Sequence, residues 1–211
     1  MITTNSKEYS HIDYKNYPKM TNGYLCVPQP DKKYQALPDV YDRLCSIIYF
    51  ASKIGGESKR FMLSDKAHKE AMFRAALSEF IALHDYIFEK YGQKIWFNPH
   101  TNTNPLLHML KLLRNYNVHV DTSKLNEQPM YVSTLFDPDT THEISKTFIS
   151  NLSVNALSRL QGASFYRSQI EKLITVFDEQ QHEFGVSQLI MKCTLDNTAC
   201  LDVLLPSSTT S

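Results

Sequence analysis

Residues 104–120 read NPLLHMLKLLRNYNVHV, and the fold-class prediction starts from this stretch. Asn104 is a favourable N-cap, and Pro105 is a favourable first helical residue. Apolar residues then recur at the spacing of one helix face: Leu106, Leu107, Met109, Leu110 and Leu113. The stretch therefore predicts a helix with a buried, leucine-rich side whose C-terminal end is polar.

Two further helices are predicted before this one, which indicates a helical bundle. In the first, apolar residues recur at the spacing of one helix face from 39 to 51, and Gly55-Gly56 ends the run. A longer run starts at the capping residue Ser64 and ends at Gly92. At about 1.5 Å per residue, this second helix is roughly 40 Å long and spans a bundle.

The second half of the chain continues the helical pattern. Two helices are expected around 141–160 and 164–184, followed by an apolar segment at 186–205. Only 130–136, which reads MYVSTLF, has a composition that suits an extended segment. The predicted fold class is all-α: an up-and-down bundle of about five helices, with an irregular N-terminal arm and room for one short strand.

Three regions follow from these patterns. Residues 1–37 have no sustained period and predict an irregular arm laid over the domain. Residues 38–205 form the predicted helical domain, and residues 206–211, PSSTTS, suggest a disordered tail.

Length and composition exclude several protein classes. A chain of 211 residues with 42% hydrophobic content fits a single globular domain. Its start lacks the pattern of a signal peptide, and no apolar run is long enough to span a membrane, so a cytoplasmic protein without membrane association is expected. The four cysteines show neither CxxC spacing nor metal-type pairing with histidines, which disfavours disulfides and structural zinc.

Charge is distributed unevenly along the chain. The net charge is zero, which by itself argues against a nucleic-acid partner. No Asp or Glu occurs from Lys90 to Val120, however, whereas this stretch contains four cationic residues and three histidines. Chance, a loop against a neutral surface, and a surface that faces phosphate all explain this pattern.

The polar end of the central helix has an unusual geometry. On an ideal helix, His108, Lys111, Asn115 and His119 fall within about 80° of one another, whereas Arg114 lies about 140° from His119. A solvated face with a histidine near the C-terminal dipole is one interpretation. A functional site is the other, if the helix breaks or a second chain brings the arginine and histidine together.

Arginine and histidine together suit phosphoryl chemistry without a metal. Arginine is a permanent cation that binds phosphate oxygens in pairs, and histidine is the side chain that most readily exchanges a proton near neutral pH. In RNA the 2′-hydroxyl is an internal nucleophile, which a general base can deprotonate while a cation stabilises the charge that builds up on the phosphate. Each such group contributes roughly two to four orders of magnitude in rate.

The sequence Arg114-Asn115-x3-His119 resembles the R-x4-6-H signature of the HEPN superfamily of helical-bundle domains, in which a polar residue follows the arginine. The Asn-Pro start and leucine-rich helix also resemble HEPN proteins of prokaryotic conflict systems. This resemblance implies a metal-independent endoribonuclease of toxin–antitoxin or defence type. Such enzymes cut by 2′-hydroxyl attack, usually as homodimers whose two motifs face each other across one cleft.

Carried over to this chain, the resemblance implies that Arg114 binds and orients the scissile phosphate and that His119 acts as acid or base. Asn115 would position His119 or a phosphate oxygen. Three neighbours are candidates for substrate binding: Lys111, Tyr116 and Asn117. The expected partners are RNA, a second copy of the chain and an antitoxin protein, without a cofactor or metal. The family also contains noncatalytic members, so a helical module that binds RNA, a nucleotide or a protein is the alternative.

Overall fold

Six α-helices and a two-stranded antiparallel sheet make up the described part of the chain. The computed structural model describes residues 9–56, 58, 64–134, 136–160 and 167–206. The elements in chain order are α1 (Pro38–Ser52), α2 (Asp65–Tyr91), α3 (Pro105–His119), β1 (Leu125–Thr134), β2 (Asp137–Ile149), α4 (Val154–Leu157), α5 (Arg167–Phe184) and α6 (Val186–Asn197). Two 3-10 helices, Lys32–Ala36 and Thr198–Leu204, lie before α1 and after α6.

The predicted start and end of α2 and the predicted start of α3 are confirmed. The Ser64 side chain accepts a hydrogen bond from the Ala67 amide, and Gly92 closes α2 in the left-handed conformation with φ of 70°. The Asn104 side chain accepts from the Leu106 amide at 3.0 Å. Local capping chemistry therefore sets both ends of α2 and the start of α3.

The helices enclose one hydrophobic core. Helix α1 packs against α2 and α6, while α3 packs against α2 and α5. Residues from all of these elements and from the loop before α3 are fully or almost fully buried: Leu44, Ile47, Phe80, Leu83, Trp96, Leu110, Leu113, Phe177 and Leu189. The Trp96 indole donates to the Phe80 carbonyl at 3.2 Å, which fixes the loop onto α2.

A β-hairpin replaces part of a predicted helix. The chain is mostly helical and not all-α, because β1 and β2 pair antiparallel from Leu125↔Ile149 to Thr134↔Asp137. The helix expected around 141–160 is wrong for 141–149, which belongs to β2. Threonine and isoleucine are frequent there, and such β-branched residues favour strands. The extended segment expected at 130–136 lies partly in β1, and residue 135 is outside the described residues.

The hairpin is anchored at its base. Most of β2 is exposed, and burial begins only at Thr147 and Ile149. The fully buried Gln181 of α5 accepts from the Ile149 amide at 2.8 Å and donates to its carbonyl at 3.0 Å. Gly185, with φ of 84°, lies close to the same strand, since a Cβ there would be 3.2 Å from the Thr147 carbonyl oxygen.

Replacing Gln181 should therefore weaken the fold. The substitution Gln181→Ala leaves the amide and carbonyl of Ile149 buried without their partner, and we expect a loss of about 1–3 kcal/mol in the free energy of unfolding. Urea denaturation followed by circular dichroism measures the loss. Gln128→Ala, at a half-buried position on β1, is the control and should change stability by less than about 0.5 kcal/mol. Equal stability of both variants would contradict the anchoring role.

Glutamine side chains also hold the N-terminal arm. Residues 9–31 contain no α-helix or strand and lie against α5 and α6. Gln169 and Gln188 each bond to both the amide and the carbonyl of one arm residue, Tyr9 and Tyr24 respectively. Gln180 accepts from the Met20 amide at 2.6 Å. These side chains satisfy backbone groups of an extended segment that has no strand partner.

Parts of all three predicted regions lie outside the described residues. These are residues 1–8 of the arm, residues 57, 59–63, 135 and 161–166 of the predicted helical domain, and residues 207–211 of the predicted tail. Within the described ranges, no helix combines the length and the apolar character that a bilayer crossing requires.

Candidate functional site

The motif lies on one uninterrupted helix. His119 is the last residue of α3, and the Val120 amide still donates to the Tyr116 carbonyl. No break separates Arg114 from His119, so the two residues differ by about 140° around the helix and about 7.5 Å along it. The side chains of Arg114 and His119 therefore diverge within one chain.

Arg114 and Asn115 form a half-buried pair. The Arg114 guanidinium donates from Nη1 to the Asn115 side-chain oxygen at 3.0 Å. Its Nε atom is buried without a hydrogen-bond partner, and no carboxylate among the described residues forms an ion pair with it. Asn115 thus orients a cation that keeps unused donors, as an anion-binding arginine requires.

His119 is exposed at the end of the helix. Its neighbour Val118 is also exposed, at 48% of its surface. Within the described ranges, no side chain forms a hydrogen bond or ion pair with the His119 imidazole. The ring is therefore accessible to solvent and to a ligand.

Tyr116 and Asn117 face inward. Asn117 donates to the Leu113 carbonyl and to the Ser123 hydroxyl, both at 2.8 Å, and accepts from the Ser123 amide at 2.9 Å. Tyr116 is buried, and this burial, followed by the charge of Asp121, raises the pKa of its hydroxyl. Both side chains help to fix the chain reversal after α3, which accounts for their positions without a substrate.

The other polar residues of α3 differ in exposure. His108 is 1% exposed, and its Nε2 lies 2.8 Å from the Asn102 carbonyl oxygen. Its ring packs between those of Phe97 and His11, and burial lowers its pKa to about 4. His108 is therefore neutral at neutral pH and belongs to the contact between the arm and α3. Lys111 is half-buried, and burial lowers its pKa as well.

Sequence reasoning did not place His84 and Lys94 beside the motif. His84 and Lys111 contact the same Phe97 ring, and Lys94 is close enough for its charge to lower the pKa of both. The only sequence signal for this grouping is the stretch without acids from Lys90 to Val120. His84 lies before that stretch, so its position becomes visible only once α2 packs on α3.

The described residues contain no group of three or more His, Cys, Asp or Glu side chains that could hold a metal ion.

No family model, no curated protein and no solved structure matches this chain.

Proposed function

We propose that this protein is a metal-independent endoribonuclease of the toxin–antitoxin or defence type that the HEPN resemblance implies. The observation that supports the proposal is the arrangement on α3. Arg114 is held by Asn115 and has no carboxylate partner among the described residues, and His119 is exposed at the end of the same helix. Arginine binds a phosphate, and histidine transfers a proton.

The proposed reaction uses only groups on this chain and on RNA. His119 removes the proton of a 2′-hydroxyl, and the 2′ oxygen bonds to the adjacent phosphorus. The bond from phosphorus to the 5′ oxygen breaks. His119 then returns its proton to the 5′ oxygen, directly or through water. Arg114 stabilises the negative charge on the other phosphate oxygens. The products carry a cyclic phosphate and a 5′-hydroxyl.

The divergence of Arg114 and His119 on one helix favours a site shared by two chains. In the proposed homodimer, Arg114 of one copy and His119 of the other act on the same phosphate. A cytoplasmic location, with an antitoxin protein that blocks this cleft, completes the proposal. The same divergence also supports a second candidate, a noncatalytic module that binds RNA, a nucleotide or a protein through this surface.

Cleavage in the presence of EDTA tests the proposal. The purified protein should cut single-stranded RNA with EDTA present and should leave DNA of the same sequence intact, because DNA lacks the internal nucleophile. A DNA strand with one ribonucleotide should be cut only after that nucleotide, and mass spectrometry should find a cyclic phosphate on the product. Cleavage of all-DNA strands would contradict the mechanism. RNA binding without cleavage, unaffected by His119→Ala, would support the noncatalytic candidate.

A further inference from the structure

Three cations converge at the junction of α2 and α3. Lys94 follows α2, while Lys111 and Arg114 lie one turn apart on α3. We name Lys94, Lys111, Arg114 and the neighbouring His84 the α2–α3 cation cluster. After the larger effect of burial, the nearby positive charges of Lys94 and Arg114 also lower the pKa of Lys111. Lys111 Nζ lies 5.6 Å from the centre of the Phe97 ring, and the His84 ring lies 6.0 Å from the same ring.

The cations of this cluster have no ion-pair partner among the described residues. Some of the other lysines have one: Lys33 pairs with Asp202, Lys69 with Glu127 and Lys90 with Asp39. Asp85 is the acid whose charge acts on Lys111, but it is exposed and forms no salt bridge with the cluster. Three cations against one carboxylate leave the cluster positively charged. Because Lys111 and Arg114 are half-buried, the charge is costly without a bound anion.

His84 provides an independent sign of a ligand. Its side chain is 7% exposed, and its Nδ1 atom is buried without a hydrogen-bond partner. Burial lowers the pKa of the ring, the charge of Asp85 opposes this, and the positive charges of Lys111 and Lys94 lower the pKa further. The net lowering keeps the ring neutral at neutral pH. A buried polar atom without a partner costs about 1–3 kcal/mol, and such atoms are rare in proteins. An anion beside Lys111 would offer the missing acceptor to this nitrogen.

We propose that the α2–α3 cation cluster binds a backbone phosphate of RNA, next to the phosphate that is cut. Lys94 and Lys111 contribute charge, and His84 Nδ1 contributes a neutral hydrogen bond. In this proposal Arg114 contacts both phosphates, because it belongs both to the cluster and to the motif. A phosphate fits because its oxygens can accept from several donors at once. The identity of the ligand as RNA rests on the proposed function, whereas the site itself rests on the cluster.

Salt-dependent RNA binding tests the site without cleavage. The test uses the full chain with His119→Ala as background and a fluorescently labelled single-stranded RNA in anisotropy titrations. Each lost phosphate contact lowers the slope of log affinity against log salt by about 0.7, which amounts to about fivefold weaker binding at about 0.1 M salt. Lys94→Gln and Lys111→Gln should each show this change.

Lys90→Gln is the matched control. Lys90 lies in the same stretch without acids, but it already pairs with Asp39 at 2.9 Å and bonds to the Tyr86 hydroxyl. Its replacement removes the same charge and should leave the salt slope unchanged. Equal slopes for the Lys90, Lys94 and Lys111 variants would overturn the site.

His84→Phe separates the hydrogen bond from the charges. It should weaken RNA binding without changing the salt slope, because a neutral donor releases no counterions. It should not lower the melting temperature, because it removes a buried polar atom that has no partner. Unchanged RNA affinity would remove His84 from the site.

The results distinguish the two proposals. RNA binding that depends on Lys94 and Lys111, without cleavage by the unmodified chain, would refute the reaction and support the site. RNA cleavage by the unmodified chain, together with unchanged salt slopes in the Lys94→Gln and Lys111→Gln variants, would refute the site and support the reaction.

Discussion

Replacing either Arg114 or His119 with alanine is expected to abolish RNA cleavage. The loss should be roughly 10²–10⁴-fold for each, because one substitution removes the cation that stabilises the reacting phosphate and the other removes the proton acceptor. Asn115→Ala should cost less, about fivefold, since its bond to Arg114 contributes about 1 kcal/mol of positioning. Initial rates on a fluorogenic RNA in EDTA measure these losses.

The control for this series is His142→Ala. His142 is an exposed histidine on β2, away from α3, and its replacement should leave the cleavage rate unchanged. Cleavage that persists in the Arg114→Ala, His119→Ala double variant would place the activity in another site or in a contaminating nuclease.

Mixed dimers test whether the two residues act across chains. Arg114→Ala and His119→Ala chains, coexpressed with different tags and purified as the heterodimer, should regain about half of the unmodified activity, because one of two symmetric sites is then intact. The two homodimers should remain inactive. A heterodimer as inactive as its parents would contradict a shared site, and a strict monomer in light scattering would do the same.

The second large effect concerns stability. Leu110 is fully buried in the core side of α3, so Leu110→Ala is expected to lower the free energy of unfolding by about 2–5 kcal/mol through lost burial and a cavity. His119→Ala, at the exposed end of the same helix, should change it by less than about 0.5 kcal/mol. Urea denaturation of both variants provides the comparison.

Val118→Ala is the matched control for Leu110→Ala, because it also shortens an aliphatic side chain on α3 but at an exposed position. It should be nearly neutral. A large loss for His119→Ala would mean that the imidazole supports the fold, and the cleavage defects of that variant would then no longer report on chemistry.

Helices whose limits depend on local chemistry could be predicted from the sequence. Ser64, Gly92 and Asn104 cap α2 and α3 with their own side chains or backbone, without help from distant residues. The leucines of α3 are buried as their spacing predicts.

The hairpin could not be predicted in the same way. Ile144 and Phe148 are four residues apart and fit a helical period, yet they also fit the alternation of a strand. Pairing with β1 decided between the two, and that pairing is a contact between distant residues. The glutamines that hold Ile149, Tyr9 and Met20 are equally invisible, because an isolated glutamine on a helix usually faces water.

For the candidate site, the sequence provided the motif and left its surroundings unknown. Arg114, Asn115 and His119 are close in sequence, so their spacing alone carries the hypothesis. The grouping of His84 with Lys94 and Lys111 depends on how α2 packs against α3, which no local pattern contains.

The anchoring of the arm has a consequence for the order of events during synthesis. Tyr9, Met20 and Tyr24 bond to glutamines that lie 160, 160 and 164 residues later in the chain. The arm therefore leaves the ribosome long before α5 and α6, and its bonds to these two helices are missing while the helices up to α4 are made. Its ring contacts with His100 and His108 involve only segments that are made earlier. Contacts of such long sequence separation as those to α5 and α6 form late. Until then Tyr17 and Met20, buried in the finished protein, are exposed and available to chaperones.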